Sequence, residues 1–291
     1  MSENYINRIV QTYPDLSIHG WQSNAIGQNN DVLIINESLV FRFPKYQSGI
    51  ECLIEETKIL SCLKSRVSMP IPELLYTSFE ELEAGKVFTG YSLIQGSPLW
   101  KKDMDQIKHE DALQNLAVQL AGFLIQLHSV PKDELCTYVQ LEDQNPREEM
   151  AALFEDIQSR LFPYMRQDAR DETACSFEAF FRSETSSSIQ TTLIHGDFGD
   201  SNIIWNPAAR QIAGIIDFGG SGLGDPAYDF AGLLSSYGEA FYNRCIHLYP
   251  NGQDIAKRVE FYRSTFALQE ALHGLEHQDR QAFENGIQAY R

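Results

Sequence analysis

The feature that most constrains the fold is a group of three short apolar runs late in the chain, at residues 191–195, 202–205 and 212–217. The pair Asn206-Pro207 separates the last two runs, and such a pair is typical of a turn. Short apolar runs bounded by turn residues are typical of strands. The pattern therefore predicts three short strands that present polar residues at their ends.

The polar residues at those ends carry the densest chemistry in the chain. His195 is followed by Asp197 and, five residues later, by Asn202, and the third run ends in Asp217-Phe218-Gly219. Asn202 and Asp217 offer the hard oxygen ligands that Mg²⁺ prefers. A loop can place Asp197 beside the metal without making it a ligand, in position to orient a substrate hydroxyl or to accept its proton as a general base.

Each of these acids has a plain alternative, because a single Asp in a loop is often a turn residue or a helix cap. The spacing H-x-D-x-x-x-x-N, followed by a strand that ends in D-F-G, is far more specific than any one residue. In phosphoryl transfer the transition state spreads negative charge over phosphate oxygens, so the protein mainly supplies metal ligands and positions the attacking hydroxyl. The motif therefore favours phosphoryl transfer.

The charge of the chain narrows the possible partners. With 23 Lys and Arg residues against 40 Asp and Glu residues, the formal net charge is −17. Such a charge repels the phosphate backbone of nucleic acids and anionic membrane surfaces, so we expect neither as a partner. The acidic balance permits a cationic substrate, although solubility alone also explains it.

Cysteine usage and the N-terminus indicate the compartment. The five cysteines are widely spaced and form no C-x-x-C pair, which favours reduced, mostly buried thiols over zinc or redox chemistry. The polar N-terminus lacks the apolar core of a signal peptide. A membrane-spanning helix needs about 20 consecutive apolar residues, and no stretch of the sequence approaches that length. The expected location is the cytoplasm.

The texture of the chain changes near residue 95. Before it, the pattern predicts short strands around one helix. Residues 31–36 and 38–43 form a predicted hairpin, and residues 49–63 form the predicted helix. The segment Gln95-Gly96-Ser97-Pro98 is typical of a loop, and we place a boundary between two lobes there. Beyond it the pattern is mainly helical, with one helix that ends near His128 and further helices from Tyr228 onward.

At these residues the sequence resembles the aminoglycoside phosphotransferases and their relatives, which are kinase-like small-molecule phosphotransferases. Besides the two motifs above, the resemblance rests on residues 40–45, 70–72, 90–96, 127–129 and 224–230, and so extends over nearly the whole chain. Among the better-known branches, the chain looks most like the aminoglycoside 2''-phosphotransferases. We therefore expect an enzyme of the antibiotic-resistance type.

The resemblance implies an α+β, protein-kinase-like fold with two lobes. Residues 1–95 would form a nucleotide-binding lobe with a mostly antiparallel sheet and a hinge at about residues 91–98. Residues 96–291 would form a mainly helical lobe for catalysis and substrate binding. The implied phosphate donor is ATP or GTP, and the implied metal is Mg²⁺.

The resemblance also assigns roles to single residues. Asp197 is the catalytic aspartate, and Asn202 and Asp217 hold the magnesium. The loop over the phosphates spans residues 23–31 and includes Ser23 and Gly27. The hinge backbone that meets the nucleotide base is formed by Tyr91, Ser92, Leu93 and Ile94.

The chain departs from the family at the phosphate-binding cation. The usual strand lysine falls at Arg42, which can still bridge phosphate oxygens with two N–H groups and ion-pair with Glu56, although the two residue types are not equivalent. Lys45 is the reserve candidate. Glu56, on the predicted helix, matches the glutamate that pairs with this cation, and its alternative is a solvated surface charge.

Three residues near the catalytic motif are expected to organise it instead of touching substrate. The resemblance favours structural roles for Asp225 and Asp229, and Asp229 is expected to anchor the His195 loop by hydrogen bonds. His195 is expected to organise the same loop. All three stay outside the predicted catalytic set.

The resemblance favours a cationic aminoglycoside as the phosphate acceptor, whose ammonium groups require carboxylates. The candidates are Asp200, Glu239, Glu270 and Glu276, each of which has a solvated helix charge as its alternative. In the stretch that follows Phe230, residues 231–242, the only acidic residue is Glu239, and the 2''-phosphotransferases have more acids there. A macrolide or a small metabolic alcohol therefore stays open as the acceptor.

Two other classes compete with the kinase interpretation. The sequence from His273 to His277 matches the H-x-x-E-H pattern of an inverted zinc protease, but little chain follows to supply a third ligand, and Gly274 weakens the helix. The departure at Arg42 also permits a pseudokinase, which would bind nucleotide without transferring phosphate. The intact Asp197, Asn202 and Asp217 argue against it.

Overall fold

The computed structural model describes residues 2–24, 30–139, 143 and 145–291. These residues divide into two compact units. Unit 1 comprises the described residues within 1–99, 130–140 and 201–221, and unit 2 comprises those within 100–129, 141–200 and 222–291. The predicted assignment of nucleotide binding to residues 1–95 and of catalysis to residues 96–291 concerns function and stays a prediction.

The secondary structure of the described residues is that of an α+β protein. In chain order, the helices are α1 (Ser2–Thr12), α2 (Ser48–Leu63), α3 (Lys101–Met104), α4 (Glu110–His128), α5 (Lys132–Tyr138), α6 (Pro146–Asp156), α7 (Gln167–Arg182), α8 (Glu184–Ser187), α9 (Ala227–Tyr237), α10 (Glu239–Leu248), α11 (Gly252–Glu276) and α12 (Arg280–Ile287). The strands are β1 (Trp21–Asn24), β2 (Asn30–Ile35), β3 (Leu39–Pro44), β4 (Leu74–Ser78), β5 (Phe88–Ser92), β6 (Ser97–Pro98), β7 (Thr192–Ile194), β8 (Ile203–Asn206), β9 (Gln211–Ile215) and β10 (Gly222–Gly224). The predicted fold class is confirmed.

The larger sheet of unit 1 is antiparallel and has the strand order β1-β2-β3-β5-β4. The predicted hairpin is confirmed as β2 and β3. Its turn spans residues 36–38, between the paired Ile35 and Leu39, and the Ser38 N–H donates to the Ile35 carbonyl at 3.1 Å. Asn36 and Glu37 in this turn are both at positive φ (52° and 53°). The central strand β3 places Arg42 opposite Val32 on one side and Thr89 on the other.

The prediction of a single helix before residue 95 is incomplete, because α1 precedes the sheet. Its buried side chains are Tyr5 and Ile9, which lie one turn apart, and the Tyr5 ring stacks on Phe43 with 4.1 Å between centroids. Both belong to a buried cluster with β2, β3 and β5. A helix that buries only two side chains gives a short periodic signal, so the sequence pattern missed it.

Unit 1 contains a second antiparallel sheet, β6-β8-β9, which joins residues 201–221 to the N-terminal part of the unit. Ser97 pairs with Trp205, and the Ile215 N–H donates to the Pro70 carbonyl at 2.9 Å. A Cβ atom at Gly96 would lie 2.5 Å from the Trp205 carbonyl oxygen, so only glycine permits this approach. The strands predicted at 202–205 and 212–217 are confirmed as β8 and β9.

Unit 2 is mainly helical. Helix α11 packs against α9, α10 and α12, and α4 packs against α10 and β7. The strand predicted at 191–195 is confirmed as β7, which pairs with β10 so that Leu193 faces Leu223. The Phe123 ring of α4 stacks on Phe198 with 5.6 Å between centroids. This stacking fixes the segment that follows β7 against the core of unit 2.

Two chain-wide expectations can be compared with the described residues. Cys62 and Cys245 are buried free thiols, but Cys52 and Cys175 are exposed, so the prediction of mostly buried cysteines is wrong for two of these four. They lie on outward faces of α2 and α7, which the spacing of cysteines alone does not reveal. Among the described helices, none combines the length and apolar character that crossing a membrane requires.

Candidate active site

In unit 1, Arg42 bridges two acidic residues that are distant in the sequence. Its Nη1 lies 2.5 Å from Glu56 Oε1 on α2, and its Nη2 lies 2.6 Å from Asp217 Oδ1. Arg42 and Glu56 are only 4% and 3% exposed, so the pair is desolvated. The predicted pairing of Arg42 with Glu56 is confirmed, and the alternative of Glu56 as a solvated surface charge is wrong because the sheet and α2 enclose it.

The electrostatics of this cluster keep Arg42 charged. Burial by itself would lower the pKa of Arg42, but the charges of Glu56 and Asp217 raise it above its ordinary value. Glu56 also accepts a hydrogen bond from the Phe218 N–H at 3.1 Å, directly after Asp217. The carboxylate of Glu56 therefore holds both the cation and the backbone of the D-F-G segment.

Asp217 has a backbone conformation that non-glycine residues seldom adopt. Its φ of 64° and ψ of 72° lie in the left-handed region, which costs about 1–3 kcal/mol and recurs at functional sites. The Ile216 N–H donates to the Asn202 carbonyl at 3.0 Å, so the ends of the segments that carry Asn202 and Asp217 are adjacent. The Asp217 side chain remains 45% exposed and accessible to a ligand.

The donor atoms of Asn202 and Asp217 fit Mg²⁺. This ion usually takes one or two protein ligands together with substrate phosphates and water. The described residues contain no group of three or more His, Cys, Asp or Glu side chains with metal-binding geometry, which a site enclosed by protein ligands would need. The rings of His273 and His277 lie at 46° to each other with 4.4 Å between their centroids, but the two residues belong to no such group among the described residues.

In unit 2, the loop that carries Asp197 is held through its backbone. The two carboxylate oxygens of Asp229 accept the N–H groups of His195 at 2.8 Å and of Gly196 at 2.9 Å. The Asp197 N–H donates to Nδ1 of His195 at 3.2 Å. Gly196 has a φ of 77°, which favours glycine. Three consecutive amides are thus fixed by side chains, and the expected anchoring by Asp229 and His195 is confirmed.

Asp225 has a different environment from Asp229. Its carboxylate binds the guanidinium of Arg258 through two hydrogen bonds of 2.5 and 2.8 Å, and it caps α9 by accepting the Ala227 N–H at 3.0 Å. Both acids are buried, and both lie in the same short motif. Asp225 connects α9 to α11, which agrees with the structural role expected for it.

The structure gives Lys45 and the predicted nucleotide-binding segment separate places in unit 1. Lys45 follows the end of β3, whereas Arg42 occupies the position beside Glu56. Tyr91 is buried and Ser92 is exposed at the end of β5. The Leu93 N–H donates to the Ser38 carbonyl at 2.7 Å, which joins the segment before Ile94 to the start of β3. Ser23 is exposed on β1, and Gly27 lies outside the described residues.

The four predicted substrate carboxylates have separate neighbours in unit 2. The Asp200 N–H donates to Ser236 Oγ at 3.1 Å, and Glu239 is the exposed first residue of α10. Glu270 accepts from Asn285 of α12 at 3.4 Å. Glu276 pairs with Arg160 of the π-helical turn Ile157–Leu161 at 2.7 Å. Their roles in substrate binding stay predictions.

Sequence reasoning missed Glu149, a half-buried carboxylate in the first turn of α6. The described residues supply it with no hydrogen bond or ion pair, and burial raises its pKa. Arg147 of the same helix instead lies over the Phe181 ring, 5.9 Å from its centroid. The exposed Glu148 precedes it, and acids are common in the first turn of any helix, so no sequence signal distinguished Glu149.

Glu149 and Asp197 act on a common neighbour. Burial, followed by the charges of Asp197, Asp229 and Glu149, raises the pKa of Tyr228 to about 12, although a hydrogen bond with Gln269 opposes the rise. The Tyr228 hydroxyl lies 3.1 Å from Gln269 Oε1 on α11. Unit 2 therefore brings α6, α9, α11 and the Asp197 loop to one polar region.

The chain is similar to several known phosphotransferases. Viomycin phosphotransferase from Streptomyces vinaceus is 28% identical over 205 residues, which cover 69% of this chain and 68% of that protein. The structure of APH(2'')-IIIa in complex with GDP and kanamycin superposes with a TM-score of 0.90 at 28% identity, over 98% of this chain and 96% of that one. A type I macrolide 2'-phosphotransferase shares the fold, with a TM-score of 0.79 and 17% identity over 99% and 96% of the two chains.

A family model provides the most direct assignment. The model of the phosphotransferase enzyme family matches residues 20–262, which include Arg42, Glu56, Asp197, Asn202 and Asp217. The predicted resemblance and the predicted class, an enzyme that transfers phosphoryl groups, are confirmed. The chain belongs to the phosphotransferase enzyme family.

Proposed function

We propose that this enzyme transfers the γ-phosphate of ATP or GTP to a hydroxyl group of an aminoglycoside antibiotic. One observation carries the proposal: the match over 98% of the chain to a phosphotransferase whose structure contains GDP and kanamycin. The Arg42 cluster in unit 1 and the Asp197 loop in unit 2 supply the two kinds of group that phosphoryl transfer requires, namely phosphate-binding charge and a hydroxyl-positioning carboxylate.

The nucleotide phosphates would bind at the Arg42 cluster. A guanidinium offers several N–H donors in a fixed plane, which suits phosphate oxygens, and Glu56 holds that plane in place at 2.5 Å. Asn202 and Asp217 would hold Mg²⁺, which when bound neutralises charge on the phosphate oxygens. The loop with Ser23 and Gly27 would cover the phosphates, with Lys45 as the reserve cation.

Asp197 would act on the acceptor. Its carboxylate accepts the hydrogen bond of the attacking hydroxyl and takes its proton as the oxygen bonds to phosphorus. The side chain is exposed, and the amides of residues 195–197 are fixed by hydrogen bonds. The backbone therefore holds Asp197 in one position while its carboxylate stays accessible to the acceptor. Positioning of this kind is the main protein contribution in phosphoryl transfer.

A cationic acceptor fits the acids of unit 2. Glu149 is half-buried without an internal cation in the described residues, so an ammonium group of the acceptor would find a desolvated carboxylate there. Asp200, Glu239, Glu270 and Glu276 would provide further contacts, and Glu276 would exchange Arg160 for the acceptor. The hinge residues Tyr91, Ser92, Leu93 and Ile94 would bind the base. Because the donors are cytosolic nucleotides, we place the reaction in the cytoplasm.

A second acceptor class has its own support. The similarity to viomycin phosphotransferase, 28% identity over 69% of the chain, favours testing viomycin beside the aminoglycosides. The likeness to the macrolide enzyme extends to the fold alone. A macrolide and a small metabolic alcohol therefore enter the test as comparison acceptors.

The proposal is tested by coupled nucleotide turnover with Mg²⁺, in which ATP and GTP are each offered with kanamycin, viomycin, a macrolide and a panel of metabolic alcohols. We expect turnover with kanamycin and none in Asp197→Asn, while nucleotide binding measured by calorimetry is retained in both proteins. Turnover with viomycin but not kanamycin would move the acceptor to the second class. Tight nucleotide binding without turnover on any acceptor would support the pseudokinase alternative.

A further inference from the structure

We propose that Tyr249 is a positioning residue, which fixes the proton of His128 and thereby the loop that carries Asp197. The inference rests on the proposed role of Asp197 and goes beyond it, because neither Tyr249 nor the proton on His128 has a part in the function described above. Tyr249 lies directly after α10, and its Oη is 2.9 Å from Nδ1 of His128, the last residue of α4. The two rings meet edge to face with 5.5 Å between centroids.

The second nitrogen of His128 identifies the tautomer. His128 Nε2 lies 3.0 Å from Asp229 Oδ2, and both side chains are buried. An ionised carboxylate only accepts hydrogen bonds, so Nε2 carries a proton. When Nδ1 carries no proton, it accepts a hydrogen bond from the Tyr249 hydroxyl at 2.9 Å.

Tyr249 is suited to remain a donor. Burial, followed by the charges of Asp229 and Asp225, raises its pKa above the ordinary value, so the phenol keeps its proton. Its ring also packs edge to face on Phe230 with 5.0 Å between centroids. The hydroxyl is therefore held in direction by an aromatic neighbour of α9, as well as by His128.

The chain of hydrogen bonds ends at the amides before Asp197. Asp229 Oδ2 receives both His128 Nε2–H and the His195 N–H, and Oδ1 receives the Gly196 N–H. If Nδ1 carried the only proton, Nε2 and Asp229 Oδ2 would be two acceptors 3.0 Å apart, and the carboxylate would turn away. By donating to Nδ1, the Tyr249 hydroxyl complements the tautomer that has its proton on Nε2, and so helps to keep the plane of the Asp229 carboxylate aligned with both amides.

The test is Tyr249→Phe, which removes one hydroxyl and keeps the ring. Tyr242→Phe is the matched control, because Tyr242 is a tyrosine of α10, close to Tyr249 in the sequence, and its hydroxyl has no hydrogen-bond partner in the described residues. We expect Tyr249→Phe to lower kcat by about tenfold, the size of an effect from one buried unsatisfied group, with the KM values of nucleotide and acceptor within about twofold. Tyr242→Phe should match the wild type in both.

A second readout is independent of turnover. Hydrogen–deuterium exchange of the peptide containing residues 195–197 should accelerate on the order of tenfold in Tyr249→Phe and remain unchanged in Tyr242→Phe. His128→Gln keeps a donor for Asp229 and an acceptor for Tyr249, so it should retain more activity and protection than His128→Leu. The hydrogen–deuterium exchange measurements test the inference even if no tested acceptor is phosphorylated. That failure of phosphorylation would contradict the proposed function and leave the inference about Tyr249 to the exchange data.

Two results would overturn the inference. One is exchange at residues 195–197 in Tyr249→Phe equal to that of the wild type and of Tyr242→Phe. The other is a pair of His128 variants, Gln and Leu, with equal kcat and equal exchange, because positioning through specific hydrogen bonds requires the two to differ.

Discussion

The two parts of the candidate active site are buried polar networks that hold their acidic residues in different ways. In unit 1, the Arg42 guanidinium forms ion pairs with the carboxylates of Glu56 and Asp217. In unit 2, the Asp229 carboxylate accepts hydrogen bonds from the backbone N–H groups of His195 and Gly196, and the side chain of Asp197 stays exposed. Side-chain ion pairs can exchange partners when charged phosphates arrive, whereas backbone hydrogen bonds fix the origin of a group that must act in one position.

The largest effect should come from the residue that unit 2 presents. Asp197→Asn keeps the shape of the side chain but removes its ability to take a proton, so kcat should fall by about 10³-fold or more. Nucleotide affinity measured by calorimetry should stay within about twofold, since the substitution leaves the residues of the Arg42 cluster unchanged. A residual kcat above a tenth of the wild-type value would remove Asp197 from the role of base.

Loss of the anchor should be the next largest effect. Asp229→Asn leaves one oxygen to serve His195, Gly196 and His128, so at least one buried donor becomes unsatisfied. We expect about a 10²-fold fall in kcat and a loss of about 1–3 kcal/mol in the free energy of unfolding. Urea denaturation and steady-state kinetics measure the two. An unchanged kcat in a folded Asp229→Asn protein would contradict the contrast between the two networks.

In unit 1 the effect should appear in KM instead of kcat. Arg42→Gln removes the shared cation, so the KM for nucleotide should rise by about 10–100-fold, the value of one or two charge-assisted hydrogen bonds. Stability should also fall, because Glu56 is left buried without its cation. Lys45→Gln is the control and should change the KM by less than about twofold. The reverse ranking would make Lys45 the phosphate-binding residue.

The smallest effect should be at Glu149. Glu149→Gln should raise the KM for a cationic acceptor by about tenfold, and the exposed neighbour Glu148→Gln should leave it unchanged. Burial raises the pKa of Glu149, so the wild-type carboxylate is charged only above that raised value. Acceptor affinity should therefore fall as the pH is lowered, and the fall should begin at a higher pH than it would for an exposed glutamate. Glu149→Gln should not show this pH-dependent loss of acceptor affinity. Identical KM profiles for the two variants would exclude Glu149 from acceptor binding.

The parts of the fold that the sequence predicted are those with a local signal. The strands β7, β8 and β9 and their polar ends lie within some 25 residues, and the spacing of Asp197, Asn202 and Asp217 identified them together. The hairpin of β2 and β3 was equally local, because its turn residues separate two adjacent apolar runs. The pairing of Arg42 with Glu56 followed from a family motif.

The parts that the sequence did not predict depend on contacts between distant segments. Asp217 lies 175 residues from Arg42, and Tyr249 lies 121 residues from His128, so no periodic pattern connects either pair. Glu149 and Glu148 look alike in the sequence, and only burial separates them. Arg160, which pairs with Glu276 across 116 residues, was equally invisible. Such pairs are set by tertiary packing, which local propensity does not encode.

The most direct test of the central claim is mass spectrometry of kanamycin after incubation with the enzyme, Mg²⁺ and GTP or ATP, with the wild type and Asp197→Asn in parallel. Our account predicts kanamycin that carries one added phosphate and an equal amount of nucleoside diphosphate with the wild type, and unmodified kanamycin with Asp197→Asn. Nucleotide consumption with unmodified kanamycin, or equal phosphorylation by the two proteins, would contradict it.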